Sequence, residues 1–467
     1  MNREIEAQCV RIVHKLKAAA AADPTFAVFG ASSHRYAIGP TVSEAQVRAF
    51  ETEQGINLPE HYSAFLMRVG NGAPSAEGGS YHGSAAGPYY GIFPLGLGVD
   101  AFIQGEGGYL AAPPFVRPDM PQSEWEEAAK SLDDEDRSQD DYDEGCRRLF
   151  GGLLPVGTQG CQSYHALVLQ GPHAGRVVNV DAERSPPVFG FEANFLDWYE
   201  RWLDEVTSGV LLKDGPYWFG YTMGGDDEQL LKVFNAAKIK AEKLAALAGF
   251  RKLRSISAKS ADEIAGIAAG DDPDLRREAI SILTEFAYAQ ACAPLQGLLS
   301  GSEEDQLTAC SAIHWFAKEH AADWVDLVGP LSTKTSNIEL FRFATYVLEA
   351  SGQDCSRYLV PAASHADEAI RWQAIYTIGK AAQNSQTIAA ILKGLADESP
   401  RVVHAALQAH RKAFDDRFIA AYASIARRYE VDENYIHANL KHHLKAIGYD
   451  SIPAFVAAFE QGKVRAG

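Results

Sequence analysis

The stretch DDPDLRREAISILTEF, residues 271–286, determines how the second half of the chain is interpreted. It opens on Asp271-Asp272-Pro273-Asp274, a cluster of turn-forming residues that separates one helical unit from the next. Ala279 and Leu283 follow at a spacing of four residues, so they lie on the same face of a helix. The stretch therefore predicts a helix that presents a small and a large apolar side chain to a neighbour.

The same pattern returns along the second half of the chain. Its alanines are spaced by 30, 35, 30 and 31 residues, and they are Ala279, Ala309, Ala344, Ala374 and Ala405. Four positions after each alanine lies Leu283, Ile313, Leu348, Ile378 or Ala409. A second apolar helix follows in each unit, as in 294–299 and 388–392. Two helices in every 30 to 35 residues predict an α-helical repeat solenoid from about residue 235 onward.

These units resemble HEAT-type repeats over about residues 260–430. The resemblance rests on Asp-Pro at 272–273 and Ser-Pro at 399–400, each followed by an arginine and then by an apolar alanine. It implies an all-α HEAT-like solenoid across 226–467, with a concave face for peptides or proteins and no catalytic signature. Trp315, Trp324 and Trp372 fall within the repeats, and we expect them to pack between the helices.

Charge also separates the two halves of the chain. The protein carries a net charge of −18, and residues 1–235 hold 33 acidic against 17 basic side chains. Residues 236–467 hold 28 acidic against 26 basic side chains and are nearly neutral. A strongly acidic first half repels nucleic acid and attracts basic proteins. The difference supports a domain boundary, which we place at 225/226.

Two helix patterns open the first half after an amphipathic stretch within residues 1–40. Ser43 and Gln46 have the spacing of a capping box, which predicts a helix start. Tyr62, Phe65 and Val69 lie on one apolar stripe of a second predicted helix.

A β-rich region comes next. Residues 89–95 read as a short strand, and 164–169 and 176–180 read as a hairpin across a Gly/Pro loop. Asn194 is the expected N-cap of a closing helix. Helices, strands and a helix in this order predict an α+β domain.

The first half resembles the SUKH superfamily over roughly residues 40–207. The resemblance rests on the pattern Val42-Ser43-Glu44, Phe50-Glu51, Gly55-Ile56, Leu58-Pro59, Tyr62, Phe65-Leu66 and Asn71-Gly72, and on Leu154-Pro155-Val156-Gly157 with Asn194-Phe195. It implies a SUKH-like α+β domain within 1–225, built from an antiparallel sheet with helices. SUKH domains are known mostly as bacterial immunity proteins that bind and neutralise polymorphic toxins, so the resemblance implies that function here.

An acidic insertion at about 119–145 departs from the compact family pattern. Between residues 124 and 144 lie eleven acidic side chains and only two basic ones. Such a block is typical of a solvated, partly disordered loop, and it also suits a nucleic-acid mimic or a surface that steers a basic toxin. Trp125 and Tyr142 would then act as aromatic anchors. The predicted partner-binding residues are Glu124, Trp125, Glu126, Glu127, Asp133, Asp134, Asp136, Asp140, Asp141 and Tyr142.

The sequence contains none of the catalytic motifs that would indicate an enzyme. It has no phosphate-binding loop, no nucleophile elbow and no zinc-protease motif, so we predict no catalytic residue, cofactor or metal site. Cys161 and His165 are four residues apart, but we interpret them as ordinary residues of a turn and strand. No run of 18 apolar residues occurs, and the scattered cysteines fit a reducing cytosol, so we expect a cytoplasmic protein without a membrane span.

Three functions remain open from the sequence. The first is toxin neutralisation by direct binding, and the second is an adaptor or regulator that binds partners through the solenoid. The third is a HEAT-like protein that acts on nucleic acid, which would need basic residues that converge in a groove. Candidates for such a cluster are Lys238, Lys240, Lys243, Arg251, Lys252 and Arg254.

Overall fold

The structure, a computed structural model, divides into two compact units, Met1–Ser260 and Ala261–Gly467. The residues that it describes are 2–72, 84–103, 107–130, 132, 138–212, 218–381, 384–409, 417–429 and 434–464. Each unit is considered by itself below.

The first unit contains helices on one four-stranded sheet. Its α-helices are α1 (Arg3–Ala22), α2 (Ala31–His34), α3 (Glu44–Gln54), α4 (Glu60–Arg68), α5 (Gln122–Lys130), α6 (Gln139–Phe150), α7 (Phe195–Thr207), α8 (Asp227–Ala236) and α9 (Lys240–Gly249). Its strands are β1 (Leu153–Gly160), β2 (Ser163–Val168), β3 (Val177–Asp181) and β4 (Val188–Phe189). The helix α10 (Ala258–Ala268) crosses the division between the units.

The sheet is antiparallel throughout, in the order β1-β2-β3-β4. The predicted hairpin is confirmed, with His165 of β2 opposite Asn179 of β3. The strand predicted at 89–95 is wrong, because this segment forms only isolated bridges through Ile92 to Ala85 and Gly157. Tyr89 and Gly91 both have positive φ angles, which turn the backbone away from the extended conformation that a strand needs.

The predicted capping box and closing helix are both confirmed. The backbone N–H of Gln46 donates to Ser43 Oγ at 3.3 Å, and Gln46 Oε1 accepts from the Ser43 N–H at 2.8 Å. Asn194 caps α7 in a similar way, since its Oδ1 accepts from the Asp197 N–H at 3.1 Å. Such caps satisfy N–H groups that have no partner inside the helix.

The core of the first unit is built around α7. This helix packs against α1 and α4, and its aromatic side chains are buried. Trp202 is 1% exposed and its ring stacks on Tyr36, with centroids 5.9 Å apart. On the α1 side, Lys15 Nζ lies 2.9 Å from Glu200 Oε1 and 2.6 Å from Asp204 Oδ1. Apolar burial therefore holds the layer together, while ion pairs at its rim fix how α1 lies on α7.

The first unit extends past the boundary that we predicted at 225/226. The reason is a buried ion pair, in which Lys252 Nζ lies 2.6 Å from Glu205 Oε2 of α7. Gly249 also lies close to the Met223 carbonyl, so α9 packs against the segment that leads into α8. Whether 1–225 folds by itself remains a prediction.

The second unit is a succession of helix pairs. Its α-helices are α11 (Pro273–Phe286), α12 (Tyr288–Leu299), α13 (Glu303–Phe316), α14 (Val325–Ser332), α15 (Ile338–Ala350), α16 (Ser356–Leu359), α17 (Glu368–Ile378), α18 (Ser385–Leu395), α19 (Pro400–Ala409), α20 (Arg417–Arg428), α21 (Asn434–Ala446) and α22 (Ile452–Glu460). The first helices of successive pairs, from α11 through α13, α15, α17 and α19 to α21, contact one another in that order. The predicted helical repeat is thus confirmed.

The repeated alanines, which we call the alanine ladder, lie inside the row of first helices. Ala279, Ala309, Ala344 and Ala374 are all fully buried, and each follows its helix N-cap by seven residues. A side chain of this size lets two helix backbones approach closely. In α19 the hydroxyl of Ser399 accepts from the N–H groups of Arg401 and Val402, which makes Ala406 the equivalent residue. Ala405, the residue aligned from the sequence, is one position off, although it is buried as well.

Candidate protein-binding surfaces

The acidic insertion contains two ordered helices, α5 and α6, which we call the acidic helix pair. Ser138 begins α6, because its Oγ accepts from the Asp141 N–H at 3.2 Å. Asp140 and Asp141 lie in the first turn, where negative charge is favoured by the helix dipole. On the inner side of the pair, Ala129, Cys146, Leu149 and Phe150 are buried. The described part of the insertion is therefore a folded platform.

Trp125 belongs to the core of this platform. Its side chain is 1% exposed, its ring packs near Phe115 and Phe150, and its Nε1–H donates to the Arg184 carbonyl at 2.8 Å. The expected role of Trp125 as an exposed anchor is wrong, because an amphipathic helix buries its aromatic side. Tyr142 is 36% exposed and stays at the surface.

The carboxylates of the acidic helix pair differ in whether a neighbouring side chain pairs with them and in how exposed they are. Arg117 holds Glu124, with Nη2 at 2.5 Å from Oε2, and this pairing lowers the pKa of Glu124. Glu126 accepts from Gln122 Nε2 at 2.6 Å and remains exposed. Glu127, Asp140 and Asp141 are also exposed. We call Glu126, Glu127, Asp140, Asp141 and Tyr142 the acidic surface. The predicted residues Asp133, Asp134 and Asp136 lie outside the described residues.

A buried polar network crosses the sheet of the first unit. His165 Nδ1 lies 2.8 Å from Asn179 Oδ1, and Gln159 Nε2 donates to the same oxygen at 2.9 Å. Full burial lowers the pKa of His165 to about 4, so its ring is neutral at physiological pH. The Tyr221 hydroxyl donates to Gln159 Oε1 at 2.9 Å and attaches the chain after α7 to the sheet. Cys161 lies exposed at the turn between β1 and β2, while the His165 ring is hydrogen-bonded to Asn179.

A polar cleft of about 470 Å³ lies along α7 near the start of α8. In a neighbouring cleft of about 440 Å³, burial raises the pKa of Glu192 to about 6, although Arg201, with Nε at 3.8 Å from Glu192 Oε1, opposes the rise. Burial also raises the pKa of Glu205 against the effect of Lys252. Arg201 and Lys252 thus each face a carboxylate, and these ion pairs stabilise the junction of α7 with α9.

The basic cluster proposed for nucleic acid does not converge in a groove. Lys252 is 1% exposed and engaged in the ion pair with Glu205, and Arg254 donates to the Gly209 carbonyl at 2.9 Å. The ammonium of Lys243 lies over the Phe234 ring, 5.3 Å from its centroid. These cations hold elements of the first unit together, which weakens the nucleic-acid hypothesis.

A row of aromatic side chains lies on four first helices of the second unit, α13, α15, α17 and α21. We call it the aromatic stripe, and its members are Trp315 of α13, Phe343 and Tyr346 of α15, Trp372 and Tyr376 of α17, and Tyr435 of α21. Two histidine rings lie against aromatic rings of the adjacent first helix. His314 lies 4.9 Å from the Tyr346 ring, and His404 of α19 lies 4.9 Å from the Tyr435 ring.

The stripe is exposed to a degree that the sequence did not indicate. Trp315 is 66% exposed, Tyr435 50% and Tyr376 39%, so the expected packing of Trp315 between helices is wrong. Trp324 does pack as expected, since it is 3% exposed and donates to the Tyr288 hydroxyl at 2.9 Å. Trp315 follows the buried Ala309 by six residues, a spacing that turns it about 120° around α13 from that alanine. That spacing is the signal that could have identified the stripe.

Cations of the chain itself cover several rings of the stripe. The guanidinium of Arg401 lies 4.3 Å from the Trp372 centroid, and the ammonium of Lys380 lies 4.4 Å from that of Tyr376. Arg342 lies 5.5 Å from the Phe343 centroid. Cation–π contacts of this kind occupy the ring faces.

The described part of the chain contains neither a metal-binding cluster nor a membrane-spanning helix. No group of three or more His, Cys, Asp or Glu side chains there is placed to hold a metal ion. Among the same residues, no helix combines the length and apolar character needed to cross a membrane.

Comparison with known proteins identifies the first half. No curated protein matches the chain. Of the solved structures, Escherichia coli YibA is 12% identical, with 52% of this chain and 93% of that one covered and a TM-score of 0.34. A designed armadillo repeat protein in complex with the peptide (KR)4 is 19% identical, with coverages of 51% and 100% and a TM-score of 0.25. Both scores are too low to carry a conclusion. A family model does match, and the chain therefore carries, over residues 41–201, a domain of the SMI1 / KNR4 family (SUKH-1).

Proposed function

We propose that the protein is a non-enzymatic, cytoplasmic immunity protein that neutralises a toxin by binding it directly. The SUKH-1 family includes immunity proteins, and the matched residues 41–201 contain the whole acidic helix pair. The proposed partner is a toxin domain with a basic surface, and no cofactor takes part.

The acidic surface is the observation that carries this proposal. Its carboxylates are exposed on two helices whose inner sides are buried, so their positions are fixed before a partner arrives. Fixed charges steer an oppositely charged protein and raise its association rate, and they lose little conformational entropy on binding. A disordered acidic loop would lose more conformational entropy on binding.

The test begins with capture of partners from native lysate by the tagged full-length chain. A captured protein that arrests growth when expressed alone, and is tolerated when this chain is co-expressed, would support neutralisation. A partner that is harmless alone would contradict it.

The second step tests the surface. A variant with Glu126→Gln, Glu127→Gln, Asp140→Asn and Asp141→Asn should slow association with the captured toxin roughly tenfold at low salt, because exposed charge pairs act mainly on the association rate. Raised salt should reduce the difference, since screening weakens the wild-type attraction. Unchanged association would remove the acidic surface from the proposal.

A matched control neutralises the same number of carboxylates elsewhere in the first unit. Glu4, Glu6, Glu53 and Glu183 are all exposed, and their replacement by glutamine changes the net charge equally. The control should associate at nearly the wild-type rate. An equal loss of association rate in both variants would mean that only the net charge of the protein affects association.

The second candidate function is an adaptor that binds partners through the helical repeats. The aromatic stripe favours it, because exposed tryptophan and tyrosine side chains are common at the centres of protein interfaces. Capture of partners that depends on the stripe and is indifferent to the acidic surface would favour this candidate.

A further inference from the structure

The acidic helix pair is attached to the sheet at the turn between β3 and β4. The N–H of Arg184 donates to the carbonyl of Asp181, the last residue of β3, at 3.2 Å, and the N–H of Ser185 donates to Asp181 Oδ1 at 3.0 Å. These two hydrogen bonds close the turn on the oxygens of a single residue. The turn therefore holds Arg184 in a defined position shortly after β3.

Arg184 contacts the acidic helix pair through both its backbone and its side chain. Its carbonyl accepts the Nε1–H of Trp125 on α5 at 2.8 Å. Its Nη1 donates to the carbonyl of Leu132, two residues past the end of α5, at 3.2 Å. Burial raises the pKa of Tyr142 on α6, and the positive charge of Arg184 opposes this rise, so the guanidinium also lies near α6. One residue of the turn thus reaches both helices of the pair.

The backbone conformation of Arg184 does not itself require an arginine. Its φ angle is 70°, in the left-handed region that favours glycine. Glycine at this position would form the turn without a steric cost. It would lack the guanidinium, so the hydrogen bond to the Leu132 carbonyl would be lost. The contact with the end of α5 is therefore what the side chain adds to the turn.

Apolar contacts also hold the helix pair, but they act differently. Leu149 and Phe150 of α6 are buried, and the Trp125 ring packs near Phe115 and Phe150. Apolar burial is non-directional, whereas a hydrogen bond depends on both distance and angle. The two hydrogen bonds of Arg184 therefore supply a directional link between the acidic surface and the sheet.

We infer that Arg184 is a positioning residue, which fixes the acidic surface relative to the sheet for binding of a basic partner. The inference rests on the proposed function, because the surface that is positioned is the one proposed to bind the toxin. Loss of the Arg184 side chain leaves the number of carboxylates on the acidic surface unchanged. The variant should therefore still attract the partner, but the helix pair would have to become ordered on binding.

The first experiment needs no partner. Hydrogen exchange of the full-length chain, read by mass spectrometry, compares the wild type with Arg184→Ala. Amides of α5 and α6 should exchange roughly tenfold faster in the variant, because opening of the helix pair no longer breaks a hydrogen bond from a charged donor. Amides of α7 and β2 should exchange as in the wild type. Unchanged exchange in the helix pair, or equal acceleration throughout the first unit, would overturn the inference.

Two further variants provide a rescue and a matched control. Arg184→Lys keeps a charged donor at this position, so α5 and α6 should exchange within roughly threefold of the wild-type rate. Arg254→Ala removes another arginine that donates to a backbone carbonyl, that of Gly209 at 2.9 Å, and changes the net charge equally. The control should leave exchange of α5 and α6 unchanged. Acceleration in the control equal to that in Arg184→Ala would also overturn the inference, since loss of any one positive charge would then suffice.

The second experiment measures binding kinetics with the captured toxin. Arg184→Ala should dissociate roughly tenfold faster, because the cost of ordering the helix pair weakens the complex, while its association rate stays within about twofold of the wild type. The quadruple variant of the acidic surface should show the opposite pattern. An unaffected quadruple variant would refute the acidic surface as the binding site and leave the hydrogen-exchange result for Arg184 standing. Faster exchange of α5 and α6 in Arg184→Ala without faster dissociation would overturn the inference that Arg184 positions this surface for binding.

Discussion

The two units fill their closest helix contacts with side chains of different size. In the first unit Trp125, Trp198 and Trp202 are each 1% exposed, and carboxylates cover much of the acidic helix pair. In the second unit alanines occupy the interior of the first-helix row, while Trp315 is 66% exposed. A domain that closes around a sheet needs large side chains to fill its core, whereas stacked helices need small ones to approach closely. The exposed rings of Trp315, Tyr376 and Tyr435 are thereby available for binding.

Substitution of a buried tryptophan should have the largest effect. We expect Trp202→Ala to lower the free energy of unfolding of the first unit by about 3–5 kcal/mol, because it leaves a cavity beside Tyr36. Hydrogen exchange read by mass spectrometry measures the loss in each unit separately. Protection in the second unit should not change. A loss below about 1 kcal/mol would mean that the α7 core tolerates a cavity of this size.

The alanine ladder should respond in the opposite sense, to added volume. Ala344→Leu places three more carbon atoms between fully packed helices, and we expect a loss of about 1–3 kcal/mol confined to the second unit. The measurement is again hydrogen exchange, with amides of α13, α15 and α17 as reporters. Ala350→Leu on the less buried end of α15 is the control. If both leucines are tolerated, close helix approach is not what the alanines provide.

The buried carboxylate of Glu192 should make the stability of the first unit depend on pH. The folded-state pKa of Glu192 is raised from 4.5 to about 6 by burial, so its protonated form is favoured in the folded protein. Its contribution is fully present below pH 4.5 and is lost as the pH rises through about 6. The shift corresponds to about 2 kcal/mol. Glu192→Gln should abolish this loss, as measured by denaturant unfolding at pH 4.5 and pH 7. A parallel pH dependence in wild type and variant would contradict the assignment.

Local signals in the sequence were reliable where a feature depends on neighbours along the chain. The Ser43–Gln46 capping box, the Asn194 cap and the hairpin of β2 and β3 are all found. The acidic block was harder to interpret, since charge density alone does not show that Trp125 and Phe150 bury one side of two helices.

Features that depend on what covers a surface were not predictable in the same way. Trp125 and Trp315 both lie on helices, yet one is buried and the other exposed, the reverse of what was expected. The helical period shows which residues share a face of a helix. The element that packs on that face is distant along the chain, so the period does not identify it. The one-residue error between Ala405 and Ala406 has a similar origin, because register follows the Ser399 cap and not the alanine itself.

The smallest expected effect on stability belongs to the most exposed tryptophan. Trp315→Ala should change the free energy of unfolding of the second unit by less than about 0.5 kcal/mol, because two thirds of the side chain is already in water. The same variant should lose capture of any partner that binds through the stripe, so the two readouts separate binding from folding. A stability loss close to that of Trp202→Ala would mean that Trp315 supports the contact of α13 with α15 through His314. The contrast between the units would then be one of degree, and the stripe would be part of the packing between repeats.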